Sequence, residues 1–183
     1  PPEKDVQWSD EGIISSYKFI QKLWALNNSI TEEISKDYKK DNSDKILKFT
    51  NQFIKKMTYN LNSFSYNILV ANLHEMYSFL YKEIKNGYSK KTIEDNYKKI
   101  LITMIPIIPH FALECIEINN FKIEQNWPTY DENLLIEDKV KLVIQLNGKK
   151  RALMEVIRDI EENKLLEQIK RDRLLTKYIE NKE

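Results

Sequence analysis

The chain has 183 residues, enough for one large domain or for one domain and a small one. Its composition, 42% hydrophobic and 31% charged with only three glycines, supplies a core and favours helices over a β-sandwich. A net charge of +1 excludes a global electrostatic pull on nucleic acid, so any RNA binding has to come from local patches. Lys, Asn, Ile and Tyr are all abundant, a pattern of codon bias that weakens bulk lysine content as evidence about partners. The single cysteine, Cys115, excludes an intrachain disulfide framework and fits a reducing, cytoplasmic setting; its apolar neighbours predict a buried, inert thiol. No apolar run is long enough to span a membrane. The chain starts at Pro1-Pro2 without Met and reads as a piece of a longer protein.

In chain order, Ser9 or Asp10 is placed to cap a helix. Ile13, Tyr17, Ile20 and Trp24 recur at helical spacing, which predicts one buried stripe. Ser29-Ile30-Thr31-Glu32 matches a capping box and predicts a fresh helical turn there, before a polar loop over Lys36–Asp44. A second helix is expected from about Asp44, buried along Ile46, Phe49, Phe53 and Met57, with a joint at Asn62-Ser63. A third should run from Ser65 to Lys85, burying Tyr66, Leu69, Leu73, Met76, Leu80 and Ile84, and end at Gly87 with positive φ. Ser89 or Thr92 opens a fourth, which runs into Ile100–Ile118, the most apolar stretch of the chain. Pro106 and Pro109 break that stretch, so a helix should stop near Ile105 and another begin at Pro109. This proline elbow is the expected centre of the fold.

Beyond Ile118 an acidic segment gives way to a basic one, and a domain boundary is placed at about Leu135–Asp138. Val140, Leu142, Ile144 and Leu146 alternate as a strand, and Ala152, Met154 and Val156 as its return. A two-residue turn at Asn147-Gly148 would pair Ile144 with Arg151 and spoil the apolar face. The expectation is therefore a three-residue type I loop with a G1 bulge and Gly148 left-handed, pairing Ile144 with Lys150, Leu142 with Ala152 and Val140 with Met154. Glu161–Lys170 and Asp172–Asn181 read as short helices, with Leu165, Leu166, Ile169, Leu174 and Tyr178 as buried candidates.

Several of these stretches resemble class I aminoacyl-tRNA synthetases. Pro106-Ile107-Ile108-Pro109-His110-Phe111-Ala112-Leu113-Glu114-Cys115 is similar to the Pro-x-x-Pro-His-x-Ala-Glu-Glu helix of their helical anticodon-binding domain, with Leu113 where Glu is usual and Ile116 where Trp is usual. Trp8-Ser9-Asp10-Glu11-Gly12-Ile13 resembles the Trp-x-Asp-x-Gly-Val entry helix of the leucyl-tRNA synthetase family, and Tyr66–Glu75 its Phe-Asn-x-Ala-Ile-Ala-x-Leu-Met-Glu helix. Trp127-Pro128-Thr129-Tyr130-Asp131, followed by Val143–Arg151, resembles that family's Trp-Pro-x-x-Asp and Val-Gln-Val-Asn-Gly-Lys-x-Arg hairpin. The resemblance implies a mainly α fold: an anticodon-binding bundle over residues 1–135, then a truncated α+β C-terminal domain over residues 136–183. It further implies a parent that joins leucine to tRNA(Leu) with ATP and Mg²⁺, its catalytic domain lying elsewhere in the same polypeptide.

The ATP-handling signatures His-Ile-Gly-His and Lys-Met-Ser-Lys-Ser are absent, as is a Gly-rich phosphate loop, so this part should be inactive alone and hold no cofactor. His74 and His110 stand apart, His110 being expected in the core or at a cap, which leaves no zinc site. Glu32-Glu33 and Glu161-Glu162 point apart on helices and form no acid–base pair. Three groups are candidates for RNA binding: Lys149, Lys150 and Arg151 on the hairpin tip, Lys48, Lys55 and Lys56 on the second helix, and, more weakly, Lys90-Lys91 with Lys98-Lys99. Tyr59 and Tyr88 are candidates for stacking on bases. The rival readings are a helical protein–protein adaptor and the equivalent domain of an isoleucyl or valyl enzyme.

Overall fold

The computed structural model describes residues 4–5, 7–36, 38, 43–122, 126–135, 139–146, 148–158 and 160–171. The chain divides into two compact units, Pro1–Leu135 and Ile136–Glu183.

The first unit is a bundle of five helices: α1 (Asp10–Lys36), α2 (Asp44–Asn62), α3 (Tyr66–Glu83), α4 (Lys90–Met104) and α5 (Pro109–Ile118). Three of the five starts, those of α1, α4 and α5, follow from local chemistry. The Gly12 N–H donates to Ser9 Oγ at 3.1 Å, and the Thr92 N–H to Ser89 Oγ at 3.3 Å. Pro109 opens α5, where a missing amide hydrogen costs nothing. Gly87 takes φ 77 after a 3-10 turn at Ile84–Asn86. The Ser29–Glu32 box starts nothing, because α1 runs straight through it: Ile30 is fully buried, so core packing overrides the local stop.

α4 is the central helix, packing against α1, α2 and α5. Its end, Ile100 to Met104, is buried at five consecutive positions, so it is covered on every side where it meets the elbow. Stacked Phe49 and Phe79, 3.9 Å between ring centroids, join α2 to α3, and Trp24 meets Phe111 edge-on to join α1 to α5. A polar knot, buried at Asn27 and Tyr97 and half-buried at Thr31 and Asn119, ties α1, α4 and the end of α5. Asn27 Oδ1 accepts from the Tyr97 hydroxyl at 3.0 Å and from Asn119 Nδ2 at 3.1 Å, and Thr31 Oγ1 donates to Asn119 Oδ1 at 2.9 Å. Cys115 is buried beside this knot, and burial pushes its thiol up to about 12.

The expected stripe on α1 is only half right. Ile13 and Tyr17 are 47% and 63% exposed, and α1 enters the core from Phe19 onward through Leu23, Leu26 and Ile30. Tyr66, expected inside, is 43% exposed. His110 is on the surface, and His74, also exposed, lies flat on Phe19 with 3.7 Å between the rings.

The second unit consists of the antiparallel pair β1 (Lys139–Leu146) and β2 (Lys149–Ile157), then α6 (Glu162–Arg171). Gly148 is left-handed, φ 74. The register differs from the expected one by two residues: Ile144 pairs with Ala152, Leu142 with Met154 and Val140 with Val156. At the tip Leu146 pairs with Lys149 and Gln145 with Lys150, the pairing of a two-residue connection, and a bulge beyond Gln145 inserts Arg151. The bulge restores the apolar face that a regular two-residue hairpin would have lost. Val140, Leu142, Ile144, Ala152, Met154 and Val156 are covered to varying degrees, whereas Val143 and Leu153 face out. On α6, Leu165 and Ile169 are partly covered but Leu166 is 46% exposed, contrary to expectation. Asn147, the expected helix Asp172–Asn181 and most of the Lys36–Asp44 loop lie outside the described residues.

Candidate nucleic-acid interface

The hairpin tip presents Lys149, Lys150 and Arg151 side by side, all exposed. Two of them come from the ladder next to Gly148 and the third is the extra residue of the bulge, a device that re-aims a side chain at a strand's edge. Exposed ammonium and guanidinium groups of this kind suit phosphate oxygens.

The second group divides. Lys48 and Lys55 are seven residues apart and share one face of α2 with Tyr59, four residues further on and 72% exposed. This stripe of two ammonium groups and one phenol runs for roughly 16 Å at 1.5 Å per residue. Lys56 does not belong to it. Its Nζ lies 2.8 Å from each carboxylate oxygen of Glu75 on α3, so its charge is matched within the bundle. Tyr88 is also withdrawn: it is buried, its hydroxyl donates to Glu83 Oε1 at 2.7 Å, and burial with that bond pushes the phenol well above its ordinary value. Lys90 lies 3.8 Å from Glu94, whereas Lys98 and Lys99 face a cavity with Trp127.

The stretch from Asn126 to Asp131, which carries the Trp-Pro motif, is a strap tied to α2. The Trp127 indole N–H donates to Thr58 Oγ1 at 2.8 Å, and the Asp131 N–H to Asn51 Oδ1 at 2.7 Å. A 3-10 turn at Glu132–Leu135 then packs on α2. Asn51 and Thr58 are seven residues apart, so one helix face holds both ends of the strap. Among the described residues no group of His, Cys, Asp and Glu is placed to hold a metal, and no helix is long and apolar enough to cross a membrane.

The described residues thus form a mainly helical bundle and a hairpin, both carrying exposed basic groups. The chain belongs to the family of anticodon-binding domains of tRNA ligases, whose model matches residues 43–166. Its relatives include the leucine–tRNA ligases of Prochlorococcus marinus subsp. pastoris and Fusobacterium nucleatum subsp. nucleatum. The first is 30% identical over 190 residues, covering 100% of this chain and 22% of the relative. The second is 30% identical over 177 residues, covering 88% and 21%. Among solved structures, the agnB2 LeuRS of Agrobacterium radiobacter K84, crystallised as a ternary complex with tRNA and LeuAMS, superposes with a TM-score of 0.74 at 18% identity, covering 95% of this chain and 23% of that one. That likeness is one of fold, and it matches the expected bundle followed by a hairpin. The chain spans about a fifth of the length of the curated relatives it matches.

Proposed function

We propose that this chain is the tRNA-holding part of a leucine–tRNA ligase. The observation that carries the reading is the match to leucine–tRNA ligases along the whole chain, through both the helical unit and the hairpin. On this reading the parent is a cytoplasmic enzyme that uses ATP and Mg²⁺ in a catalytic domain of the same polypeptide. The present part does no activation chemistry alone, and residues 136–183 begin its C-terminal domain. Lysine and arginine side chains on phosphates and 2′-hydroxyls fix the register of the tRNA more than they read its sequence. The tRNA body is thereby held so that its acceptor end reaches the distant catalytic site.

The hairpin tip provides the test. The triple variant K149E/K150E/R151E in the full-length protein should weaken binding of tRNA(Leu) and slow leucylation at limiting tRNA. Leucine-dependent exchange between ATP and pyrophosphate, which needs no tRNA, should be unchanged. The deficit should narrow as salt rises, because screening also removes the wild-type advantage. Unaltered tRNA affinity at low salt would make the tip an ordinary solvated turn.

A further inference from the structure

The cavity beside Trp127, which Lys98 and Lys99 face, lies at the edge of the core, where Ile102 forms part of its lining. It measures about 400 Å³, within the range of roughly 300–1,000 Å³ of small-ligand sites. One wall is α4, where Asp95, Lys98, Lys99 and Ile102 recur at the spacing of a single helix face. The other is the strap at residues 126–129, with Trp127 at its centre. The indole bond to Thr58 and the amide bond from Asp131 to Asn51 hold this second wall in place on α2, so the aromatic ring is positioned before any ligand arrives.

We infer that this cavity takes a single unstacked nucleotide of an RNA strand, its base against Trp127 and its phosphate against Lys98 and Lys99. The chemistry of the walls selects that ligand class. Lys98 and Lys99 place two ammonium groups on the α4 face, chemistry suited to a phosphodiester. An indole with Ile102 and Pro128 beside it suits the flat apolar faces of a base, and such stacking tolerates any sequence. A concave site of this size admits a nucleotide that has left the stack, whereas a duplex would meet only its rim. The inference rests on the tRNA-holding reading and deepens it by naming a subsite.

The test uses the 183-residue chain with Trp8 and Trp24 changed to Phe, so that Trp127 is the sole indole emitter. An unstructured eight-nucleotide RNA, an RNA duplex of equal charge, orthophosphate and tRNA(Leu) are titrated at low salt. The single strand should quench Trp127 saturably, and the duplex and orthophosphate should not. K98Q/K99Q should weaken single-strand binding and reduce its log–log salt slope by about 0.7, the contribution of one phosphate on a single strand. Trp127→Leu should weaken it about tenfold, read by anisotropy of labelled RNA. If tRNA binds but Trp127 emission and the K98Q/K99Q affinity stay at their reference values, the cavity is not a nucleotide site and the broader reading stands. Equal quenching by orthophosphate or duplex would likewise overturn the assignment. If no RNA binds at low salt, the tRNA-holding reading itself fails, and the subsite with it.

Discussion

Phe64 occupies a backbone position that most side chains avoid. It sits at φ 53 just past α2, where the Phe64 N–H donates to Leu61 O at 3.1 Å and the Ser65 N–H to Asn60 O at 2.9 Å. That is the paired closure of a helix end whose left-handed residue is usually Gly or Asn. α5 closes in the same way with Asn120 at φ 55. Phe64 is 65% exposed, so no burial offsets its backbone cost. Phe64→Asn should therefore stabilise the bundle by up to about 1 kcal/mol, since left-handed backbone costs ordinary residues roughly 1–2 kcal/mol. Urea melts would show this as a higher midpoint at constant slope, and a lower midpoint would mean that the ring contributes packing. Glu83 offers a second residue-scale prediction. Burial tends to raise its pKa, but bonds from Tyr88 and Asn86, with Lys45 nearby, outweigh it and hold the carboxyl below its ordinary value. A folded pKa below the unfolded one means that the contribution is complete above the unfolded value, near 4.5, and is lost as pH falls through the folded value. Thermal melts from pH 6 down to pH 3 should fall less steeply for Glu83→Gln than for the wild type, and parallel falls would refute the link.

The elements differ in how much supports them. α3 buries Leu69, Leu73, Met76 and Leu80 against its neighbours, whereas β1 and β2 form a two-stranded sheet among the described residues. Two strands with one partly covered face are marginal. Amide exchange should accordingly be faster over Val140–Val156 than over Tyr66–Glu83 in dilute solution, and equal protection would show that the sheet edges are paired by something else. The hairpin also shows how an element is read from sequence and where that reading stops. Alternation placed Val140, Leu142 and Ile144 on one face together with Ala152, Met154 and Val156, and that face is the covered one. The observed register differs by two residues from the expected one, and both pairings keep that face. A two-residue connection followed by a bulge at Arg151 keeps the apolar face as well as a G1 bulge in the turn does, and alternation cannot distinguish the two.

At the scale of the whole molecule, the buried end of α4 carries the helical unit, whereas the proline elbow, the expected centre, leaves Pro106 and Pro109 exposed. Met104 is 1% exposed, in a helix end buried on all sides. Met104→Ala should cost about 2–5 kcal/mol, a large part of the roughly 5–15 kcal/mol typical of a domain. Denaturant unfolding of the intact chain measures it, and a loss below about 1 kcal/mol would place the stabilising core elsewhere. Cys115 reports on the same core. Buried and held protonated, it should react with an aromatic disulfide reagent only as the bundle opens, so its rate should track unfolding. Fast labelling under native conditions would mean that α5 detaches locally.

Local chemistry sufficed for what depends on near neighbours along the chain: the helix from Asp44, the break at Pro106 and Pro109, the left-handed glycines at 87 and 148, and the family resemblance carried by contiguous motifs. Side-chain periodicity and proline geometry act within a few residues, so they can be read in order. Coverage and pairing cannot, because they depend on segments brought together from afar. Ile13 and Tyr17 belong to an apolar stripe by spacing, yet both lie largely exposed. Lys56 looks like Lys55 in the sequence, and only the approach of α3 gives it Glu75 as a partner. Tyr88 and Tyr59 are both tyrosines after a polar run, and the fold buries one against Glu83 and leaves the other in water. Trp127 stands out in the sequence as part of a motif, but only Thr58, 69 residues away, fixes its ring beside Lys98 and Lys99.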